Sequence, residues 1–435
     1  MGPERVGGLR QNALVTGMTT FWKALPTEGR WLLSTVAIQT LGRGLTLPFT
    51  IIYLHEVRGF DLGISGALMS LIAITALAVT GPGGTLIDRY GARAVLLFGI
   101  SSMIAGCTLL AFATHPGVAA IAIVLIGVNF GLSWPGFNAL IATIVDGELR
   151  QQYFGVNFAL VNLGIGVGGI IGGFLVDVQN PATFTAIFLA DAASGFIPMA
   201  LLLGPLRHVR TQGEPGTDDE AGGSYREILR RPAVLWLTLV TFISVFIGYG
   251  QMEAGFPAFA RQVSEVSTRV VGLSFAVNTA VIVLLQFAVL KLIAGRRRTR
   301  VMQVMALVWA ASWLVLGATG LLPDSVAAAI GVLAFMGIFA FGETMLQPTV
   351  PAMYNDLATD RNRGRVNAVS AAAFQGGAIT GPIAAGLLLA NGWDAAYIIT
   401  MLAGCASVLV LALVLERRVP ASANGVAEAS QTVGG

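Results

Sequence analysis

The sequence predicts an all-α integral membrane protein with twelve transmembrane helices in two pseudo-symmetric six-helix bundles. Composition is the first reason. Of 435 residues, 55% are hydrophobic and only 11% charged, with a mean hydropathy of +0.76. A soluble chain carries about twice that share of charge. The second reason is a series of twelve apolar runs, each long enough to cross a bilayer as a helix. The third is that the last six runs repeat landmarks of the first six.

The runs of the first half fall at about 31–54, 62–80, 94–113, 118–145, 153–176 and 183–204. Those of the second fall at about 233–260, 270–290, 301–322, 326–353, 366–390 and 395–415. The longer ones imply tilt, since ~20 residues already span the hydrocarbon core. Residues 1–30 are polar and basic and hold no apolar core of a cleavable signal. The longest interior break, 207–231, carries the stretch Gly213–Gly223, which is too polar and too rich in glycine to bury a core. Its last residues, Tyr225–Arg231, are suited to a short basic helix on the membrane surface. The chain therefore divides into an N-terminal segment 1–30, a first bundle 31–206, a linker 207–231, a second bundle 232–416 and a tail 417–435 expected to be disordered.

Basic residues set the orientation. Of 26 Lys and Arg, 22 fall in segments on the same side as the two termini. The opposite side has Arg58, Arg261 and Arg269, and Arg43 lies within a run. The positive-inside rule then places both termini in the cytoplasm and the protein in the cell (inner) membrane.

The halves align with a small drift. Pro48 corresponds to Pro257 at an offset of 209, and Leu86-Ile87 to Leu292-Ile293 at 206. Pro135 with Pro348, Arg150 with Arg363, and Gly164, Gly168 and Gly172 with Gly377, Gly381 and Ala385 all lie at 213. Two parallel six-helix repeats are a transporter architecture.

Enzymatic chemistry has no visible apparatus. Cys107 and Cys405 lie inside predicted spans, His55, His115 and His208 lie in or beside loops, and there is no GxxxxGK[ST] phosphate loop. No metal, no cofactor and no nucleic-acid partner is expected.

Between the second and third runs lies Gly81–Arg93, a short polar stretch that reads as a tight hinge. Within it, Gly84-x-Leu86-x-Asp88-Arg89-x-Gly91-x-Arg93 resembles the signature loop between helices 2 and 3 of the major facilitator superfamily. The resemblance implies that superfamily's fold, whose two bundles rock about a central site. It also implies a conformational latch in which Asp88 meets Arg150 at the foot of the fourth span and the start of the eleventh, with Arg93 as a further contact. The equivalent loop of the second half, Ala294–Arg300, lacks the Asp.

The fifth run carries Gly155, Gly164, Gly168, Gly169, Gly172 and Gly173, a pattern similar to the signature of the superfamily's drug–proton antiporters. Their Gly-Pro is Gly168-Gly169 here and survives as Gly381-Pro382 in the eleventh run. Small residues at this spacing let spans 5 and 8, and 11 and 2, slide at close range. One departure is that Gly127–Gly131 of the fourth run has Asn129 and no arginine.

Only Arg43, Asp191, Glu253 and Glu343 carry charge within the spans. Each costs ~2.5–3.5 kcal/mol at a helix centre, so each should face a cavity or a partner. By the resemblance, spans 1 and 7 face each other, which sets Arg43 against Glu253. Asp191 and Glu343 are the first candidates for carrying a proton, and Glu253 is a substrate contact or the third. Tyr249, Met252, Phe256, Trp134, Phe137, Met345 and Gln347 would suit a bulky amphipathic ligand. The expected function is alternating-access transport by a monomer, with protons driving multidrug efflux. A lipid or lipid-linked-sugar exporter is one alternative, since an arginine at mid-depth suits an anionic head group. A metabolite symporter is the other.

Overall fold

The computed structural model describes residues 21–145, 147–209, 225–359 and 363–425. These residues are almost entirely helical. In the first half the crossing helices are α1 (Thr27–Thr46), α2 (Leu62–Tyr90), α3 (Ala92–Ala111), α4 (Pro116–Ile144), α5 (Gly147–Leu175) and α6 (Pro181–Ser194, resumed at Phe196–Leu203). In the second they are α7 (Pro232–Ile247), α8 (Thr268–Ile293), α9 (Arg298–Thr319), α10 (Val326–Leu357), α11 (Arg363–Ala390) and α12 (Asp394–Glu416). A six-residue helix, Tyr225–Arg230, precedes α7 at the end of the linker. Most of the linker and the last ten residues of the tail lie outside the described residues.

Local chemistry sets many of the ends. Asp61 caps α2 by accepting from the Gly63 and Ile64 amides at 2.8 and 3.2 Å. Pro116, Pro181 and Pro232 open α4, α6 and α7, where the missing N–H has no helical acceptor to lose. Pro48 ends α1, which resumes as Thr50–Ile52 and a π-helical turn, Tyr53–Val57. Its repeat counterpart α7 is broken likewise, resuming as Tyr249–Met252 and Gly255–Gln262.

Eleven of the described helices are long and apolar enough to cross a membrane. The exception is α1, where Glu28, Arg30 and Arg43 dilute the apolar run. One expected boundary moves. The hinge read at Gly81–Arg93 is helical through Tyr90, and only Gly91, at φ 81°, breaks it. Polarity marked where the chain leaves the bilayer, and the backbone continued its helix beyond that point.

Helix pairing repeats six helices later. In the first bundle α1 packs on α5 and α6, α2 on α4, and α3 on α4 and α6. In the second, α7 packs on α11 and α12, α8 on α10, and α9 on α10 and α12. The bundles meet along α5–α8 and α2–α11, contacts that are themselves related by the repeat. The α1–α5 pair approaches closely where Gly44 lies against Gly168. A Cβ added to Gly168 would stand 2.8 Å from the Gly44 Cα. The second bundle is anchored by buried rings, with Trp309 stacked on Phe339 at 4.7 Å and bonded to its carbonyl at 2.9 Å.

Candidate substrate cavity

A cavity of about 430 Å³ lies between the two bundles at mid-depth. Its walls come from α2, α5, α8 and α11, with α1, α4, α7 and α10 closing the ends. Phe130, Phe158, Phe275 and Phe374 make it aromatic, and Asn162, Asn278, Gln347 and Gln375 add polar groups. Two carboxylates line it, Glu253 and Glu343.

Their surroundings differ. Glu253 faces Arg43, whose Nη2 lies 3.2 and 3.3 Å from the two carboxylate oxygens. These distances are long for a charge-assisted bond, and only one guanidinium nitrogen takes part. The Arg43 Nε is buried and has no partner, while its guanidinium stacks 4.7 Å from the Phe130 ring. The pair is therefore loosely held. Glu343 has no cation beside it among the described residues. The Tyr249 hydroxyl donates to one oxygen at 2.9 Å and Asn278 to the other at 3.1 Å. Gln347 in turn donates to the Tyr249 oxygen at 2.6 Å.

Asp191 sits elsewhere. It is 3% exposed inside the first bundle and does not line the cavity. Thr46 donates to it at 2.8 Å and the Cys107 thiol at 3.7 Å. Thr46 lies one turn beyond Arg43, so Asp191 anchors the helix segment that presents the arginine. Of the three proton-carrying candidates, Glu253 and Glu343 line the cavity, while Asp191 meets partners inside the first bundle.

The expected lining residues also separate. Tyr249, Met252 and Gln347 reach the cavity. Trp134 and Phe137 line a side pocket of about 230 Å³ between α1, α4 and α5, joined to the cavity wall through Val161. Phe256 is fully buried against Phe335 at 5.0 Å, and Met345 points away from the cavity into a groove beside α9. On α10, Glu343 and Gln347 are one turn apart and share a face. Met345 lies between them in sequence and so on the other side.

The glycines of α5 serve two partners. Gly164, Gly168 and Gly172 lie against α1 within the bundle, while Gly169 and Gly173 approach α8, the latter at Gly272. Gly381 packs on Gly250 of the α7 continuation, and Pro382 lies over Gly66 of α2. Gly155 faces open space. Only part of the motif is therefore at the sliding interface.

In the expected latch, Arg93 donates to the Leu202 carbonyl at 2.7 Å and the Arg207 carbonyl at 3.0 Å, binding the α2–α3 turn to the end of α6. Arg89 stacks on the neighbouring Tyr90 ring, and Arg150 bonds the Val145 carbonyl at 3.1 Å. Gly84 faces open space and Gly91 supplies the positive φ of the turn. The pairing expected of Asp88 rests on a side chain outside the described part of the structure.

Hydrogen bonds across the bundles show which end is closed. Among the described residues they include Arg43 to Glu253, Ser70 to the Ile379 carbonyl, Thr279 to the Asn162 carbonyl, Thr268 to the Val176 carbonyl and Arg261 to Glu56. All lie at mid-depth or toward the end away from the termini. The Glu56–Arg261 pair closes that far end, and neither residue stood out in the sequence because each sits at a span end, where charge is ordinary. Trp134 is 66% exposed toward the terminus-bearing end. These cross-bundle bonds thus hold the far end closed.

The chain matches the family model described as Major Facilitator Superfamily over residues 32–342 and 295–433. It is 23% identical over 364 residues to the uncharacterised MFS-type transporter YdeE of Escherichia coli K12, covering 83% of this chain and 88% of that one. It is 26% identical over 211 residues to the quinolone resistance protein NorA of Staphylococcus aureus, covering 47% of this chain and 53% of that one. Among solved structures it is similar to a POT family transporter in complex with a thioalcohol-conjugated peptide. The TM-score there is 0.74 at 17% identity, covering 91% of this chain and 98% of that one. The nucleoside transporter NupG follows, with a TM-score of 0.71 at 13% identity, covering 90% and 100%.

Proposed function

The chain belongs to the major facilitator superfamily, and from that premise we propose that it is a proton-coupled antiporter exporting cationic amphipathic molecules. The observation that carries this reading is Glu343, a carboxylate at mid-depth, facing an aromatic cavity, with no cation beside it. Such a group is neutralised either by a proton or by a cationic ligand. Exclusive occupancy by one or the other is the minimal requirement for exchange. The aromatic walls supply apolar contact and cation–π attraction for the rest of the ligand. The partial similarity to a quinolone resistance protein supports the same direction.

In this reading both termini are cytoplasmic, because the arginine-rich end carries them. Closure of the far end by Glu56 and Arg261 supports a cycle in which this form loads substrate from inside. A proton entering from outside would displace it after the bundles rock. Each charge crossing 100 mV contributes ~2.3 kcal/mol. Glu253 is the second acidic contact, held in reserve by its loose pair with Arg43. Asp191 positions that pair from behind. An exporter of anionic lipids is less well supported, since Arg43 already has a counter-charge in Glu253.

Reconstituted protein tests the reading directly. Substrate uptake into inside-out vesicles should require an acidic interior and should release protons outward. Glu343→Gln should abolish uptake against a gradient. Full uphill uptake by that variant would overturn the proposal.

A further inference from the structure

Outside the transport path, α8 and α9 both pack on α10 but barely touch each other. The groove between them has a volume of about 520 Å³. Its floor is the buried Met345 and Val301, and its rims are Leu292 and Val304, 52% and 49% exposed. Leu284 and Leu307 continue the exposed apolar surface along both helices, so acyl chains are what this face meets in a bilayer. At the terminus-bearing end the groove is closed over by Arg296, Arg297 and Arg300.

The charges there do not balance. Arg297 and Arg300 share Glu416, at 2.8 and 3.5 Å, and Arg298 pairs with Asp356 at 2.5 Å. Arg296 takes part in no ion pair among the described residues and is exposed. Among the described residues four arginines thus face two carboxylates. In the first-half loop, Arg93 is consumed by carbonyls of its own bundle. In the second half Arg298 is held in the same way by the Ala423 carbonyl at 2.9 Å, which leaves Arg296 as the exposed arginine without such a bond among the described residues.

We propose that the α8–α9 groove binds one anionic phospholipid from the leaflet on the terminus-bearing side. Its phosphodiester lies between Arg296 and Arg300, and one acyl chain runs between Leu292 and Val304 onto Met345. Basic pockets between transmembrane helices take anionic head groups in this way, and the apolar floor distinguishes a lipid from a free anion. The bound lipid ties the α8–α9 turn to the membrane surface beside α12.

Purified full-length protein, delipidated in neutral detergent, is titrated with phosphatidylglycerol, with phosphatidylcholine of the same chains, and with sodium phosphate. Bound lipid is counted by native mass spectrometry and the melting temperature is followed in parallel. Phosphatidylglycerol should saturate at one tightly retained molecule and raise the melting temperature, and the other two should not. An Arg296→Gln/Arg300→Gln variant should bind it roughly tenfold more weakly. Val304→Trp, which fills the groove and leaves the arginines, should weaken it too. Equal retention of phosphatidylcholine would overturn the charge argument, and equal stabilisation by phosphate would reduce the site to an anion patch. Undiminished binding in either variant would place the lipid elsewhere.

Discussion

Arg261 holds Glu56 across the two bundles by two parallel bonds, Nε to Oε1 at 2.9 Å and Nη2 to Oε2 at 2.5 Å. Both side chains are about four-fifths buried, and a third nitrogen bonds the Val266 carbonyl. Arg43–Glu253 is looser and single-pronged by contrast, so the far-end pair is the firmer tie between the bundles. A fork of this kind contributes ~1.5–3 kcal/mol when partly desolvated. It exists only while the far end is closed, so it biases the population toward the form open to the termini.

Glu56→Gln should therefore open the far end more often. In a chain whose native cysteines are replaced by alanine, a cysteine at Met252 reports access to the cavity. Its labelling by an impermeant reagent from the far side should speed up about tenfold in Glu56→Gln. Exchanging the charges, Glu56→Arg with Arg261→Glu, should restore slow labelling. Equal rates in wild type and Glu56→Gln would show that the pair is not the gate.

At Glu343, the Gln substitution removes charge but keeps size. Affinity for a cationic ligand should fall at least tenfold, with little effect on a neutral one. The sign with pH follows from competition. Protonating the carboxylate removes its attraction, so wild-type affinity should decline as pH falls, while Glu343→Gln should be flat. Parallel pH curves would move the titrating group elsewhere. Tyr249→Phe, which loses the donor to Glu343 and the acceptor for Gln347, should cost about 1 kcal/mol of binding, roughly fivefold.

Asp191 should behave as a structural group. Asp191→Ala leaves the Cys107 thiol without its acceptor and Thr46 with only the Arg43 carbonyl at 3.2 Å, at about 1–3 kcal/mol of stability. The melting temperature should drop while ligand affinity stays within about threefold, since a packing change this far behind the cavity wall reaches it only through Arg43. A stable variant that has lost proton coupling would return Asp191 to the list of proton carriers.

Arg43→Ala releases Glu253 into the cavity as a second uncompensated carboxylate. Cationic ligands should bind no more weakly than to wild type, while uphill transport slows because the mid-depth tie between α1 and α7 is gone. Arg43→Lys should recover part of the rate, since lysine keeps the charge but lacks the planar fork. Selective loss of anionic ligands in Arg43→Ala would favour the lipid-exporter reading instead.

Two glycines of one motif should respond oppositely. Gly168→Leu drives a side chain into the α1 backbone, where even a Cβ would be 2.8 Å from the Gly44 Cα, and should cost at least ~1–3 kcal/mol or abolish folded protein. Gly155→Ala meets nothing within 4 Å and should gain ~0.5–1 kcal/mol from helix propensity. Thermal melts of the two variants decide it. Equal effects would mean the motif acts as a unit.

Hydropathy along the chain reads one coordinate well, the depth in the bilayer. Twelve apolar runs, the six-plus-six repeat, the uneven arginines and the similar depth of Arg43 and Glu253 were legible on that coordinate, whereas their facing one another was implied only by the family resemblance. Rotation about each helix axis was not legible. In a soluble helix the polar face marks the outside, but here lipid and neighbouring helices are equally apolar, and residues facing either look alike. Hence Met345 and Phe256 read like Met252 and Tyr249, and Asp191 read like Glu343. Tertiary packing alone turned Met345 to the α9 groove, buried Asp191 behind α1, and brought Asn278 of α8 to Glu343. Glu56 and Arg261 were hidden for the opposite reason. Charge at a helix end is ordinary, and only the meeting of the two bundles brings together these residues, 205 apart in sequence.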